Sequence, residues 1–185
     1  MTSRNPLAKP RSILIVFGGL PGTGKSSIAR ELAARMDALY LRIDTIEQAI
    51  RNSPGVSRAI NEEGYRVAYA VAEDNLRLGR TVISDSVNPI QETRDAWMEV
   101  ACLTKSFILE VEVICSDPDS HRHRVETRET TISGLKLPTW EDVLCREYQP
   151  WNRDRIVTDT AHKTVADCVN DLQTAITLRM NLTKA

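Results

Sequence analysis

Apolar runs of strand length alternate with amphipathic stretches along most of this chain. The runs lie at residues 13–17, 38–43, 81–85 and 107–115, and a weaker one lies at 155–157. Between them, apolar side chains recur every three or four residues, which is the spacing of one helix face. This order predicts an α/β fold in which five parallel strands, joined by crossover helices, form a single domain.

Helices are expected between these strands and after the last one. The predicted helices cover 25–36, 44–51, 59–78 and 117–128, with others from Pro89, from Thr139 and near the C terminus. The helix at Thr139 begins with a capping box in which Asp142 replaces the usual Glu. In the helix at Pro89, the residues expected to face the core are Ile90, Trp97, Met98 and Ala101. Residues 1–11 are expected to form a short mobile tail before a domain that covers 12–185.

A complete phosphate-binding loop (P-loop) follows the first predicted strand directly. Its signature, G-x-x-x-x-G-K-S, spans residues 19–26 and lies between an apolar strand and an amphipathic helix. Backbone N–H groups of such a loop point at phosphate oxygens, the lysine reaches the β- and γ-phosphates, and the hydroxyl completes a Mg²⁺ shell. The residues expected to bind the nucleotide are Gly19, Pro21, Gly22, Thr23, Gly24, Lys25, Ser26 and Ser27.

Charge and composition narrow the function classes. The 185 residues include 24 lysines and arginines against 25 acidic residues, which disfavours a dedicated duplex-binding protein because such a protein needs a basic face. No apolar run approaches membrane-spanning length, and the N terminus has no signal-peptide core. The four cysteines are scattered without zinc spacing, as is typical of reduced thiols. We therefore expect a cytoplasmic protein without a membrane or nucleic-acid partner.

Asp85 ends the third strand run, where P-loop proteins place the aspartate that holds Mg²⁺. The next residue is Ser86, whereas many motor-type ATPases have a glutamate there that activates water. This difference favours transfer to an acceptor over hydrolysis. The alternative for Asp85 is a turn or helix-capping aspartate.

Asp44 ends the second predicted strand, nineteen residues after Lys25. Ligands of open parallel sheets bind outside the carboxyl ends of the strands. An aspartate at that position can accept the proton of an attacking hydroxyl group. The alternative is a helix N-cap, since residues 44–47 have cap spacing.

Arg122, Arg124 and Arg128 lead into a polar stretch, residues 129–138, that is expected to be a mobile connection. A spacing of four places Arg124 and Arg128 on one face of a helix. From a mobile lid, their guanidinium groups can neutralise charge that develops on a transferring phosphoryl group. The alternative is a solvated charged helix.

Three other features give weaker predictions. Arg94, early in the helix after the third strand, is either a contact for the acceptor or a surface arginine. His121 and His123 form an H-x-H pair, but no third ligand is evident, so a metal site is not expected there. The three tryptophans are expected to be core or rim residues.

These motifs resemble those of the small P-loop kinases that are often grouped under a general AAA ATPase heading. The resemblance is to the branch that includes polynucleotide 5′-kinase, chloramphenicol phosphotransferase, zeta toxin and gluconate kinase. It is carried by residues 17–27, 41–46, 82–89 and 115–128, and it extends through 137–155. The chain lacks the Asp-Glu pair of a motor ATPase, a second helical domain and the Asn-Lys-x-Asp guanine signature.

The resemblance implies ATP and Mg²⁺ as ligands and a sheet ordered 2-3-1-4-5. It also implies Asp44 as the base that activates the acceptor, and a lid over about 124–138 that carries Arg124 and Arg128. The stretch 53–69 matches no acceptor-specific pattern, so the identity of the acceptor does not follow from it.

The sequence thus predicts a single-domain P-loop NTPase fold that moves the γ-phosphoryl of Mg-ATP to a hydroxyl of a small-molecule or nucleotide-like acceptor, as a monomer or homodimer. The catalytic candidates are Lys25, Asp44, Arg124 and Arg128, and the metal candidates are Ser26 and Asp85. Two alternatives remain open. One is an ATP-binding regulator or slow NTPase without an acceptor. The other is a kinase for the 5′ end of a nucleic acid, which the near-neutral charge disfavours.

Overall fold

Five parallel strands, ordered β2-β3-β1-β4-β5, form the sheet that carries the site. They are β1 (Ile13–Gly18), β2 (Leu39–Arg42), β3 (Val82–Asp85), β4 (Phe107–Ile114) and β5 (Ile156–Asp159). The computed structural model describes residues 12–54 and 62–182. All six residues of β1 are buried, because this strand lies between β3 and β4 at the centre of the sheet. The predicted fold and strand order are confirmed.

Helices in the described residues cover both faces of this sheet. They are α1 (Lys25–Met36), α2 (Ile43–Arg51), α3 (Glu63–Arg77), α4 (Gln91–Thr104), α5 (Pro118–Thr127), α6 (Trp140–Leu144) and α7 (Val165–Leu182). On one face, α1 and α7 bury Ile28, Leu32, Val169 and Leu172. On the other, α3 and α4 form a second core around the fully buried Trp97. None of the helices described here is long and apolar enough to cross a bilayer.

Some boundaries differ from those that the sequence predicts. β2 ends at Arg42 and α2 begins at Ile43, whose side chain packs into the core formed by α3 and α4, so Asp44 lies in the first turn of α2. α5 ends at Thr127, and Arg128 follows it in extended backbone. The expected tail and the predicted start of α3 lie outside the described residues.

The inward face of α4 also differs from the prediction. Met98 is 37% exposed, because the buried stripe of α4 runs through Arg94, Trp97 and Ala101 at intervals of three and four. The capping box at the start of α6 is confirmed by reciprocal hydrogen bonds between its two residues.

Strand β4 carries two buried carboxylates, which its apolar pattern did not predict. Glu112 accepts hydrogen bonds from Arg155 Nε at 2.5 Å and from Tyr148 Oη at 3.2 Å. Glu110 lies 3.7 Å from Arg153 Nε, and its Oε1 atom has no hydrogen-bond partner in the described part of the chain. Burial raises the pKa of Glu110 to about 7.

Replacing Glu110 by Gln is expected to flatten the pH dependence of stability. Between pH 4.5 and about 7 the native carboxyl keeps a proton that the unfolded chain has lost, so the native state binds more protons in this window. The free energy of unfolding of the wild type should therefore fall as the pH rises from 4.5 to about 7, by roughly 3 kcal/mol, and level off at higher pH. Glu110→Gln should lack this fall.

Urea unfolding between about pH 5 and about pH 8 measures both stability profiles. Glu99→Gln on the exposed side of α4 is the control and should keep the wild-type profile. If the Glu110→Gln profile ran parallel to that of the wild type, Glu110 would not titrate in this range.

Candidate functional site

The phosphate-binding loop lies between the carboxyl end of β1 and the start of α1. Gly19, Gly22 and Gly24 have positive φ angles of 141°, 87° and 92°, which glycine adopts without steric cost. Within the described residues, the N–H groups of Gly22, Gly24, Lys25 and Ser26 donate no hydrogen bond. Unpaired N–H groups at a turn and a helix N-terminus form an anion site. The loop therefore has the geometry to bind phosphate groups.

Contacts from the rest of the protein hold the outward carbonyl groups of this loop. His121 Nε2 lies 2.8 Å from Pro21 O, and Thr160 Oγ1 lies 2.9 Å from Thr23 O. The His121 ring is buried and packs edge-on against Trp140. These contacts give His121 a structural position behind the loop.

Replacing Gly22 by Ala is expected to destabilise the protein by about 1–3 kcal/mol, since an added methyl group overpacks this site. A Cβ at this position would lie 2.4 Å from Val125 Cγ2, in a backbone conformation that alanine avoids. Gly24→Ala is a matched control, because Gly24 also has a positive φ but its Cβ would meet Thr160 Cγ2 only at 3.6 Å. Urea unfolding measures both losses. Equal losses at the two positions would show that contact with Val125 is unimportant.

Lys25 is 7% exposed and makes no hydrogen bond or ion pair within residues 12–54 and 62–182. Burial lowers the pKa of Lys25, while the charges of Asp85 and Asp44 raise it. A buried ammonium group without a direct partner is costly, and the phosphates of a ligand would supply the missing counter-charge. The two predicted aspartates therefore both lie within electrostatic reach of Lys25.

Asp85 is 2% exposed and pairs in register with Phe17 of β1. Its Oδ2 accepts a hydrogen bond from Tyr40 Oη at 2.6 Å and lies 3.8 Å from Arg42 Nε. Burial and the charge of Asp85 raise the pKa of Tyr40, which keeps this hydroxyl protonated as a donor. Asp85 does not cap α4, whose N-cap residue is Ile90. Its Oδ1 is buried without a hydrogen-bond partner among the described residues.

Mg²⁺ fits the groups that the structure places here. Mg²⁺ is usually held by one or two protein groups together with substrate phosphates and water. Ser26 at the start of α1 and the unpartnered Oδ1 of Asp85 meet this need. In the described residues there is no cluster of three or more His, Cys, Asp or Glu side chains that could hold a metal ion without substrate.

Asp44 is 47% exposed, and its Oδ2 lies 3.7 Å from Arg42 Nη2. The N-cap residue of α2 is Arg42, and no side chain caps this helix, so the capping alternative for Asp44 is wrong. Arg42, which was not predicted as a site residue, lies within ion-pair distance of both Asp44 and Asp85. Its signal in the sequence is the alternation of Tyr40 and Arg42 along β2, which puts both on one face of the strand.

Arg124 and Arg128 do not share a helix face. Arg124 lies in α5 and donates to Thr160 Oγ1 at 2.7 Å and to Thr160 O at 3.0 Å. Arg128 follows the helix in extended backbone, with ψ 144°. Its Nε atom is buried without a partner among the described residues, and burial lowers the pKa of Arg128 while Asp44 raises it. The guanidinium group of Arg128 is therefore directed into the site, whereas that of Arg124 is held by the loop after β5.

Two cavities meet at the phosphate-binding loop. The α1 cavity, about 700 Å³, is lined among others by Gly24, Ser26, Arg30, Arg42 and Arg124. The α2 cavity, about 380 Å³, is lined among others by Pro21, Asp44, Glu47, Gln48 and Arg146. Lys25 and Arg128 line both cavities. The two cavities thus adjoin at two cationic side chains.

The segment 128–138, which forms walls of both cavities, packs against α2. A Cβ on Gly134 would lie 3.1 Å from Gln48 Nε2, so the two backbones approach closely. Gln48 is 7% exposed and donates to Asn52 Oδ1 at 3.0 Å. Gln48 was not predicted as a site residue, although its spacing of four from Asp44 places both on one face of α2.

Arg94 does not line either cavity, so the acceptor contact suggested for it is not supported. Its side chain is 1% exposed and lies 4.1 Å from the Trp151 ring. The guanidinium group donates to the backbone carbonyls of Asn88, Pro89, Gln149 and Pro150. Arg94 therefore fixes the segment at 149–150 to the start of α4.

The chain is similar to two adenylyl-sulfate kinases. It is 24% identical over 169 residues to the protein of Synechococcus sp. (strain JA-3-3Ab), a match that covers 86% of this chain and 91% of that relative. It is 28% identical over 182 residues to the protein of Clostridium kluyveri, which covers 91% of this chain and 85% of the relative. Both matches extend over most of each protein.

Solved structures of small P-loop kinases share the fold. The Mycobacterium tuberculosis APS kinase in complex with AMPPNP and APS matches with a TM-score of 0.69 at 19% identity, covering 90% of this chain and 98% of that one. A gluconokinase from Sinorhizobium meliloti matches with a TM-score of 0.62 at 19% identity, covering 95% and 97%. The resemblance to small P-loop kinases is thus confirmed. The sequence profile AAA_33, an AAA domain, matches residues 14–150, and the chain belongs to this family.

Proposed function

We propose that this protein is an ATP-dependent phosphotransferase that moves the γ-phosphoryl group of ATP to a hydroxyl of a small acceptor. The observation that carries the proposal is the position of Lys25 and Arg128. Both line the α1 cavity and the α2 cavity, next to a loop in which the N–H groups of Gly22, Gly24 and Ser26 are unpaired in the described residues. In phosphoryl transfer the attacking and leaving oxygens lie on opposite sides of the transferring group, and cationic groups beside it neutralise its charge.

In this proposal the loop binds the phosphates of ATP through the N–H groups of Gly22, Gly24, Lys25 and Ser26. Lys25 supplies positive charge next to the β- and γ-phosphates. Ser26 and Asp85 would hold Mg²⁺, which neutralises charge on the phosphates when it is bound. Tyr40 and Arg42 keep Asp85 in place through its Oδ2 atom, which leaves Oδ1 for this role.

Asp44 is proposed as the base, since it lines the α2 cavity and its carboxylate is partly exposed there. The acceptor oxygen forms a bond to the γ-phosphorus, and the bond from that phosphorus to the β,γ-bridging oxygen breaks. ADP leaves with the electron pair of the broken bond. The hydroxyl proton passes to the Asp44 carboxylate and then to solvent.

Arg128 is proposed to stabilise the transferring group, because its guanidinium Nε is buried without a partner among the described residues. Charge that develops on the equatorial phosphoryl oxygens is stabilised by such a preorganised donor. Arg124, which is bonded to Thr160, is proposed to shape the donor side of the site.

The relatives support a kinase over a motor. Two of them are named adenylyl-sulfate kinases, and each aligns over most of this chain. The residue after Asp85 is a serine, where motor ATPases place a glutamate that activates water. A hydrolase transfers the phosphoryl group to water and needs no second cavity for an acceptor, whereas this chain has one that Asp44 lines.

The test is whether ADP formation depends on an acceptor. With Mg-ATP alone the protein should form ADP slowly. One chemical class in a panel of polyols, sugars, sugar acids, nucleosides and nucleotides should raise the rate by about tenfold or more, into the range of small kinases. Tight ATP binding with one rate across the whole panel would instead indicate an ATP-binding regulator or slow NTPase.

A further inference from the structure

The walls of the α2 cavity carry an excess of positive charge. Its cationic side chains are Lys25, Arg51, Arg128, Lys136 and Arg146, and its carboxylates are Asp44 and Glu47. Arg51 Nη2 lies 3.0 Å from Glu47 Oε2, and this ion pair cancels one charge of each sign. Three more cations than carboxylates therefore face this space.

The cations of the α2 cavity fall into two pairs according to the neighbouring space that they also line. Lys25 and Arg128 also line the α1 cavity, where the donor phosphates are proposed to lie. Lys136 and Arg146 do not line the α1 cavity but line a shallow groove beside α6. The donor phosphates would account for the first pair, and the second pair is left for another anionic group.

Arg146 has no close counter-ion of its own. Within residues 12–54 and 62–182, its guanidinium group makes no hydrogen bond and has no carboxylate within ion-pair distance. Asp142 lies nearby without forming an ion pair; hydrogen bonding to Thr139, together with the charges of Lys136 and Arg146, lowers the pKa of Asp142. Lys136, on the 128–138 segment, likewise makes no ion pair in this part of the chain.

The backbone of Arg146 is held by its surroundings. Arg146 is the second residue after α6, and its backbone N–H donates to Val143 O. Three residues later, the carbonyl of Gln149 accepts from Arg94 Nη2 at 2.8 Å, which anchors the chain to the start of α4. The side chain of Arg146 is exposed, and its planar guanidinium group can bind a carboxylate, sulfate or phosphate group in a bidentate manner.

We infer that the acceptor is a small hydroxyl compound with an anionic group, and that Arg146 and Lys136 bind that group while the hydroxyl lies at Asp44. The inference rests on the proposed function and specifies its acceptor class. A space of about 380 Å³ suits a molecule in the size range of sugar acids. Carboxylate, sulfate and phosphate share the chemistry that the two cations recognise.

The test compares acceptors in pairs that differ in charge. The pairs are D-gluconate with D-sorbitol, D-glycerate with glycerol, and adenosine 5′-phosphosulfate with adenosine. In at least one pair the anionic member should have a kcat/KM about tenfold or more above that of the neutral member, the effect of one charge-assisted contact. The pair that responds separates a carboxylate from a sulfate or phosphate. Equal use of the neutral members would overturn the inference and leave the proposed function intact.

Arg146→Gln tests the same contact from the protein side. It should raise the KM for the anionic acceptor about tenfold or more and leave the KM for ATP unchanged, because Arg146 does not line the α1 cavity, where the donor is proposed to bind. Arg122→Gln is the control, since Arg122 is exposed on α5 and pairs with Glu126. An unchanged KM for the acceptor in Arg146→Gln would contradict the assignment.

Binding of inorganic sulfate gives a readout that does not need turnover. With AMPPNP filling the loop, titration calorimetry should show one sulfate site in the wild type and in Arg122→Gln, and none in Arg146→Gln. A protein that binds sulfate in this way but transfers no phosphoryl group would retain the anion site and refute the proposed function. Absence of the site in the wild type, or its persistence in Arg146→Gln, would overturn the inference.

Discussion

Replacing Lys25 by Met is expected to lower phosphoryl transfer by about 10²–10³-fold, the usual cost of removing one preorganised charge from a transferring group. The unliganded protein should be as stable as the wild type or more stable. Lys25 is 7% exposed, burial lowers its pKa, and it has no ion-pair partner in the described residues, so methionine fills the same space without the cost of desolvating a charge. Steady-state kinetics and thermal unfolding with and without AMPPNP measure these effects.

The control for Lys25→Met is Lys163→Met, which removes an exposed lysine that pairs with Asp171. It should keep both activity and the stabilisation by AMPPNP. If Lys25→Met lost stability without AMPPNP and still transferred phosphoryl groups, Lys25 would be a structural residue.

Replacing Asp44 by Asn is expected to lower transfer by about 10²–10⁴-fold, the usual contribution of a positioned base. Affinity for ATP should stay within about fivefold of the wild type, since the partly exposed pair between Asp44 and Arg42 is worth at most about 1 kcal/mol. The amide keeps the shape of the carboxylate but cannot take the proton of the acceptor. A single-turnover assay with saturating acceptor, together with AMPPNP titration, separates the two effects.

Asp74→Asn, on the exposed side of α3, is the matched control and should behave as the wild type. Transfer by Asp44→Asn at the wild-type rate would remove Asp44 from the role of base. A parallel loss of AMPPNP affinity would instead give Asp44 a role in holding the nucleotide.

The strand, loop and helix that support the site could be predicted from the sequence, because the patterns that specify them are local. The apolar run of β1, the glycines of the loop and the amphipathic helix that follows are contiguous, and each has one favoured backbone conformation. Asp85 was predictable because it ends an apolar strand, and parallel strands deliver their carboxyl ends to one edge.

Residues whose roles depend on contacts distant in sequence were not predictable in the same way. The sequence allowed Arg94 to be a surface arginine or an acceptor contact. In the structure it is buried, and it donates to carbonyls at 149–150, more than fifty residues away. Glu110 and Glu112 interrupt an apolar strand, and only the folded chain brings Arg153 and Arg155 beside them. Arg42 lies near Asp85 through strand register, which the pairing of β2 with β3 determines.

For the segment 128–138 and the helix before it, one prediction was correct and one was wrong. The composition of the segment predicted a connection without regular structure, and the structure has no helix or strand between Arg128 and Thr139. Arg124 and Arg128 were assigned to one helix face by spacing alone, but α5 ends at Thr127, so Arg124 lies in the helix and Arg128 lies after it. The end of a helix is decided by packing of the following segment, here against Gln48 of α2, and spacing does not report it.

The most direct test of the kinase proposal follows the γ-phosphorus itself. ATP labelled at the γ-position is incubated with the protein, Mg²⁺ and the acceptor that raises ADP formation, and the products are separated by charge. The label is expected on the acceptor in equal amount to the ADP formed, and Asp44→Asn is expected to remove this product. Label found only in inorganic phosphate, with the acceptor unmodified, would contradict the kinase proposal.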